Sequence, residues 1–102
     1  MAEHFNALTP AEDERLALLI EDCAEVIHMA AKIQRHGYES KDPARSGPSN
    51  RVALSMELGQ LQDCIIRLDD YNDLRSSEME KARQERRESS SKWLHHQGEN
   101  NG

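Results

Sequence analysis

The chain has 102 residues, 36% of them hydrophobic and only 4% aromatic, with 31% charged and a formal net charge of −6. That length sets a single domain with a thin core, which association between copies would naturally complete. The acidic balance excludes duplex nucleic acid as the main partner, because phosphate binding needs a dense basic surface.

In chain order, residues 1–8 lead into Thr9-Pro10-Ala11-Glu12, a strong helix start. Thr9 caps, Pro10 sits where its missing N–H costs nothing, and Glu12 is placed for a capping box. A helix is predicted from Pro10 to His36, with Gly37 as its stop. Leu16, Leu19, Ile20, Cys23, Val26, Ile27, Ala30 and Ile33 recur at three- and four-residue steps, the pattern of a buried helix. Tyr38 to Pro48 reads as a loop from Ser40, Asp42, Pro43, Ser46, Gly47 and Pro48. It is long for a helix–helix connection, and is either a lid over a site or a plain crossover.

Ser49 or Asn50 caps a second helix, expected to reach about Tyr71 over a core stripe of Leu54, Leu58, Leu61, Ile65 and Leu68. Asn72-Asp73 is a turn. A third helix is predicted over 76–94, poor in apolar residues (Met79, Ala82, Trp93, Leu94), fraying at Ser89-Ser90-Ser91 and docked at the periphery by Trp93. Residues 98–102 read as a disordered tail. No strand pattern and no repeat is present, so the expected class is all-α, with one helical domain over 1–97. Cys23 and Cys64 lie among apolar residues and are expected to be buried free thiols. No run is apolar enough to span a membrane, and Met1-Ala2-Glu3-His4-Phe5 lacks the regions of a signal peptide. A soluble, cytoplasmic protein is expected.

The chemistry concentrates between Ile20 and Gly37. On one helical face Asp22, Glu25, Met29 and Lys32 follow one another, with Glu21 and His28 alongside. Carboxylates so placed repel unless something cationic sits between them, and magnesium takes oxygen ligands of this kind. Glu57 falls within the core face of the second helix and points at that acid face once the two helices pack antiparallel. Two readings follow from the spacing. One is a carboxylate cage for one or two magnesium ions that clamp a polyphosphate; the other is an inter-helix or inter-subunit salt bridge such as Glu57 with Lys32.

Glu21-Asp22-Cys23-Ala24-Glu25, followed after a helix and a loop by Glu57-Leu58-Gly59-Gln60, resembles the MazG-like, all-α nucleotide pyrophosphohydrolase family. That family's pattern is Glu-Glu-x-x-Glu, a gap, then Glu-x-x-Asp. The similarity continues through Ala30 to Gly37, Asn50-Arg51 and Lys92-Trp93-Leu94-His95-His96-Gln97, covers about residues 15 to 97, and is greatest to the short, stand-alone members common in bacteriophages. It implies a helical fold that dimerises or tetramerises into four-helix bundles. It also implies hydrolysis of (deoxy)nucleoside triphosphates to the monophosphate and pyrophosphate, dependent on Mg2+ with Mn2+ as a substitute, by metal-activated water held in a carboxylate cage.

Carried onto this chain, the resemblance gives metal roles to Asp22, Glu25 and Glu57, with Glu21 as the base or as an acid behind the metal ligands; Glu21, Glu25 and Glu57 are the catalytic carboxylates. Asp22 replaces the second glutamate, which shortens the reach. Gln60 stands where the family has its final aspartate, removes one charge from the cage, and is left as a neutral ligand or as a hydrogen-bond partner to a metal-bound water. Asp63 lies about 120° round the helix from Glu57 and is expected to face away. Lys32 is the first candidate for a phosphate contact, Arg35 and Arg51 the next, and Asn50 either touches substrate or caps its helix. Lys81, Arg83, Arg86, Arg87 and Lys92 alternate with Glu80, Glu85 and Glu88, which makes a solvated face or a basic arm closing over the triphosphate; Lys92 is the candidate carried forward. His28 reads as a packed histidine, and His95 and His96 as solvent-exposed. The rival to an enzyme is a helical interaction protein whose site has decayed at Gln60.

Overall fold

The computed structural model describes residues 5–41 and 47–98, which form three α-helices and one 3₁₀ turn, with no strand among them. Helix α1 spans Pro10–His36 and opens with the expected capping box. The Glu12 N–H donates to Thr9 Oγ1 at 3.1 Å, and the Thr9 N–H donates to Glu12 Oε1 at 2.8 Å, so two donors that the first turn leaves unpaired are satisfied. Gly37 ends α1 at φ +87°, a conformation side chains with a Cβ resist, and its N–H closes on the Ile33 carbonyl at 2.7 Å.

Helix α2 spans Asn50–Asp70, and Ser49 rather than Asn50 is its cap, accepting from the Val52 N–H at 3.4 Å. It stops one residue before the expected Tyr71. The stop is a Schellman motif: Asn72 takes φ +63°, its N–H reaches the Asp69 carbonyl, and the Asp73 N–H reaches the Leu68 carbonyl. Asparagine tolerates that left-handed conformation better than most residues. Helix α3 spans Ser76–Ser89 and gives way to the 3₁₀ turn Ser90–Lys92, so the serine run ends the α-helix ahead of the expected Leu94. Of the long loop, residues 42–46, and with them the middle of the expected lid, lie outside the described residues; so do 99–102 of the expected tail.

Helices α1 and α2 form an antiparallel hairpin along one heptad seam. Arg15, Leu19, Asp22, Val26, Met29 and Ile33 of α1 are all buried or half-buried, as are Asn50, Leu54, Glu57, Leu61, Cys64 and Leu68 of α2. Steps of four and three residues on both helices are the geometry of knobs-into-holes packing. Both ends are fastened. At one, Asn50 donates from its backbone to the Ser40 carbonyl (2.9 Å) and from its side chain to the Gly37 carbonyl (3.1 Å). At the other, Arg15 grips Asp73 through Nε at 2.6 Å and Nη2 at 3.0 Å and stacks 4.5 Å from the Tyr71 ring.

Two expectations about burial are corrected. Helix α1 is not buried all round: Ile20 and Ile27 are each 70% exposed, and Leu16 is also exposed. They belong to a second stripe (Leu16, Ile20, Cys23, Ile27, Ala30), and a hairpin offers α1 only one neighbour, so one stripe stays bare. Trp93 does not anchor α3, being 74% exposed, and α3 makes few contacts with the hairpin. Cys64 is buried as expected, Cys23 only half-buried, and both are free thiols. Among the described residues no helix is long and apolar enough to cross a membrane.

Candidate functional site

An open groove of about 610 Å³ runs between α1 and α2 on the face opposite the bare apolar stripe, walled by Leu18, Asp22, Met56, Gly59, Gln60 and Asp63. Asp22 reaches it from the heptad seam, where a hydrophobic residue would ordinarily sit. Its residue surface is only 8% exposed, and among the described residues the carboxylate has no hydrogen-bond or ion-pair partner. No buried side-chain oxygen or nitrogen lacks a partner among the described residues, so the Asp22 carboxylate keeps its oxygens open to the groove while the rest of the residue is covered by the seam.

Gln60 comes from the flank of α2, beside the seam rather than on it. Gly59 leaves the floor bare, and a Cβ built there would meet nothing within 4 Å. Asp63 is exposed on the outer side of α2, away from Glu57 as expected, and from there it also lines the open groove with Asp22 and Gln60. The helical wheel rightly puts it on the outer side of α2. The groove is shallow and wide enough, with no side chain at Gly59, to take in that side as well.

The other sequence-selected acids are placed differently. Glu21 and Glu25 are exposed on α1, and neither walls the groove. Glu57 is half-buried on the α2 seam. It lies one heptad from Cys64, about 10 Å along the axis, while Asp22 is close enough to Cys64 to act on its thiol. Among the described residues no three His, Cys, Asp or Glu side chains stand together as a metal-holding group. The donor set that does share a wall is two carboxylates and an amide oxygen. Hard oxygens of that number fit a cation such as Mg2+, which binds through one or two carboxylates and keeps its remaining positions for water or phosphate. Cys64 adds no thiolate: burial pushes its pKa up, and the nearby charge of Asp22 pushes it further the same way.

Of the substrate-contact candidates, Lys32 is half-buried on α1, while Arg35 in the last turn and Lys92 in the 3₁₀ turn are exposed. Asn50 is only 3% exposed, and its side-chain amide is used on Gly37. Arg51 pairs with Glu39 at 2.5 Å and stacks 4.4 Å from the Tyr38 ring, which ties the loop to the start of α2. Sequence reasoning missed the groove walls Leu18 and Met56. It also missed Arg15, whose role as a clamp depends on a turn 58 residues away. No known protein family, no characterised protein and no solved structure matches the chain.

Proposed function

We propose that the protein is a MazG-like nucleoside triphosphate pyrophosphohydrolase, acting on (deoxy)nucleoside triphosphates as a homodimer or homotetramer whose bundle is completed between copies. The observation that carries this reading is Asp22, an acid set on the α1 seam where a hydrophobic residue would ordinarily sit, whose carboxylate opens to a groove that it shares with Gln60. The acid pattern around it supports the same reading: Glu21, Asp22 and Glu25 on one helix and Glu57 on its neighbour, in the order of the family motif. The bare apolar stripe of α1 supports association, since three hydrophobic residues alone (Met29, Cys64 and Leu68) are buried among the described residues.

The motif would give Mg2+ to Asp22, Glu25 and Glu57, with Mn2+ as a substitute and Gln60 as a neutral donor, although among the described residues of one copy these carboxylates do not stand together as a metal-holding group. When bound, the cation supplies Lewis-acid neutralisation of phosphate charge and a nucleophilic water at neutral pH. The water oxygen bonds to the α-phosphorus, the bond from that phosphorus to the bridging oxygen breaks, and pyrophosphate leaves. Glu21 takes the proton of the attacking water. Lys32 sets the phosphates against the acid face, assisted by Arg35 and Lys92 from the exposed ends.

The test is a panel of NTPs and dNTPs with Mg2+ and then Mn2+, with products separated by ion exchange. Monophosphate plus pyrophosphate, reduced at least 100-fold in Glu57→Ala, is the expected result. Diphosphate plus phosphate would place the cleaved bond elsewhere and sink the assignment. A second reading, a non-catalytic helical interaction protein, is favoured by Gln60 in the place of an aspartate. It predicts no turnover in the natural chain and its appearance in Gln60→Asp.

A further inference from the structure

We infer that α1 pairs antiparallel with α1 of a second copy across its bare stripe, with Glu14 against Arg35 and Glu21 against His28 between the copies. This goes beyond the association proposed above by naming the surface and its polarity, and it holds whether or not the groove is catalytic. The stripe of Leu16, Ile20, Cys23 and Ile27 repeats the spacing of the hairpin seam one position further round α1, so the helix carries two packing faces and the hairpin covers one. Ile20 and Ile27, at its centre, are the most exposed. On α2, Leu58 and Ile65 hold the same offset from their seam, 40% exposed and half-buried respectively. The apolar surface therefore spans both helices on the side opposite the groove, an extent that marks an association surface.

Charge identifies the occupant. Glu14, Glu21, His28 and Arg35 follow one another at seven-residue steps along the edge of the stripe, and all four are exposed. Among the described residues none of them has an ion pair within the chain. Their order is acid, acid, base, base. A parallel pair of helices would set each group against its like, whereas an antiparallel pair about a two-fold axis sets each acid against a base. The same axis passes between Ile20 and Ile27, so each packs on the other across it. Ala17, Ala24 and Ala31 lie between the apolar stripe and the charged row, and their small side chains let the two backbones approach until the charges meet. Neither pairing consumes its group. A carboxylate accepts at two oxygens and a guanidinium donates through five N–H groups, so Glu21 and Arg35 stay open to the roles proposed above.

The experiment is sedimentation equilibrium on the full chain. It compares wild type with Ile27→Asp, Glu14→Arg, Arg35→Glu, the last two combined, and Val52→Asp, an exposed residue of α2 outside this surface. Circular dichroism establishes that each variant is helical. Wild type and Val52→Asp are expected to associate alike, and Ile27→Asp about 100-fold more weakly or worse. Each charge reversal should weaken association about threefold or more, and the combination should restore it. A monomeric wild type overturns the inference, and so does Ile27→Asp associating as wild type does. The charge reversals lie at exposed positions and decide the matter even where Ile27→Asp does not fold: a combination no tighter than the single reversals excludes antiparallel pairing. The nucleotide panel is run on the same samples. Turnover by a monomeric wild type would remove the interface and leave the enzyme standing; association without turnover would do the reverse.

Discussion

In the α1–α2 hairpin, each three- or four-residue step along the seam meets the other helix, and both ends are tied by side-chain contacts to backbone or to a charge. In α3 nothing is buried, its first residue lacks a side-chain cap, and its main ties are internal, such as Arg83 to Glu80 at 2.8 Å and Gln84 to the same carboxylate at 3.3 Å. Among the described residues the Ser76 hydroxyl, which donates to Asp69, ties its start to the end of α2. Both regions are helical and rich in charge. The difference is that one gains from burial and the other rests on propensity and i, i+3 pairs, which contribute tenths of a kcal/mol each. The candidate groove sits on the first kind of structure, as a site requiring fixed geometry should.

The sharpest way to break this contrast is to remove equivalent bulk from each region. Leu68 is 2% exposed at the foot of the hairpin seam, and Leu68→Ala is expected to cost about 3 kcal/mol. Met79→Ala in α3, where the side chain is already partly in water, is expected to cost less than about 0.5 kcal/mol. Urea unfolding followed by circular dichroism checks both. Similar losses would show that α3 is packed as firmly as the hairpin.

Next in size is the Arg15–Asp73 clamp. The hydrogen bonds from Arg15 hold the Asp73 carboxyl below its usual pKa, against desolvation, which works the other way, and Arg15 is raised in return. A carboxylate lowered in the folded state adds stability that is fully present above its unfolded pKa, about 4, and is lost as pH falls through the folded value. Wild type is therefore expected to melt higher than Asp73→Asn at pH 7, and the gap should narrow steadily below about pH 4. A gap that stays constant down to pH 2 would mean that the clamp acts through shape and not through charge.

Much of this hairpin was legible in the sequence, and the reasons are local. Thr9, Pro10 and Glu12 specify the start of α1, Gly37 its end, and Asn72-Asp73 the turn after α2, because caps and left-handed positions depend on a few adjacent residues. The apolar period of α1 was legible too, but not which of its two stripes would be covered, since that depends on how many neighbours the helix finds. Asp22 was singled out for its acid company, whereas its burial follows from falling on the α2 seam, which the wheel alone does not choose. Asp63 was legible as an outward-facing acid, but not its place beside the open groove, because a wheel reports direction from one axis while the groove is shaped by the bare floor at Gly59 and by the helix opposite.

The smallest expected effect is the most searching test of the comparison. Ala82→Gly lies on the exposed surface of α3, where glycine costs about 1 kcal/mol of helix stability relative to alanine. If α3 opens on its own, that loss stays local. The global unfolding midpoint should be unchanged, while amide hydrogens of α3 exchange about fivefold faster and those of α1 and α2 keep their rates. The fivefold figure is the same 1 kcal/mol expressed as an opening equilibrium, and it applies because an independent helix needs no help from the hairpin to unfold. A fall in the global midpoint accompanied by faster exchange at Cys64 and Leu68 would give the opposite answer. It would place α3 in one cooperative unit with the seam, and contacts supplied by another copy of the chain would then be the simplest source of that coupling.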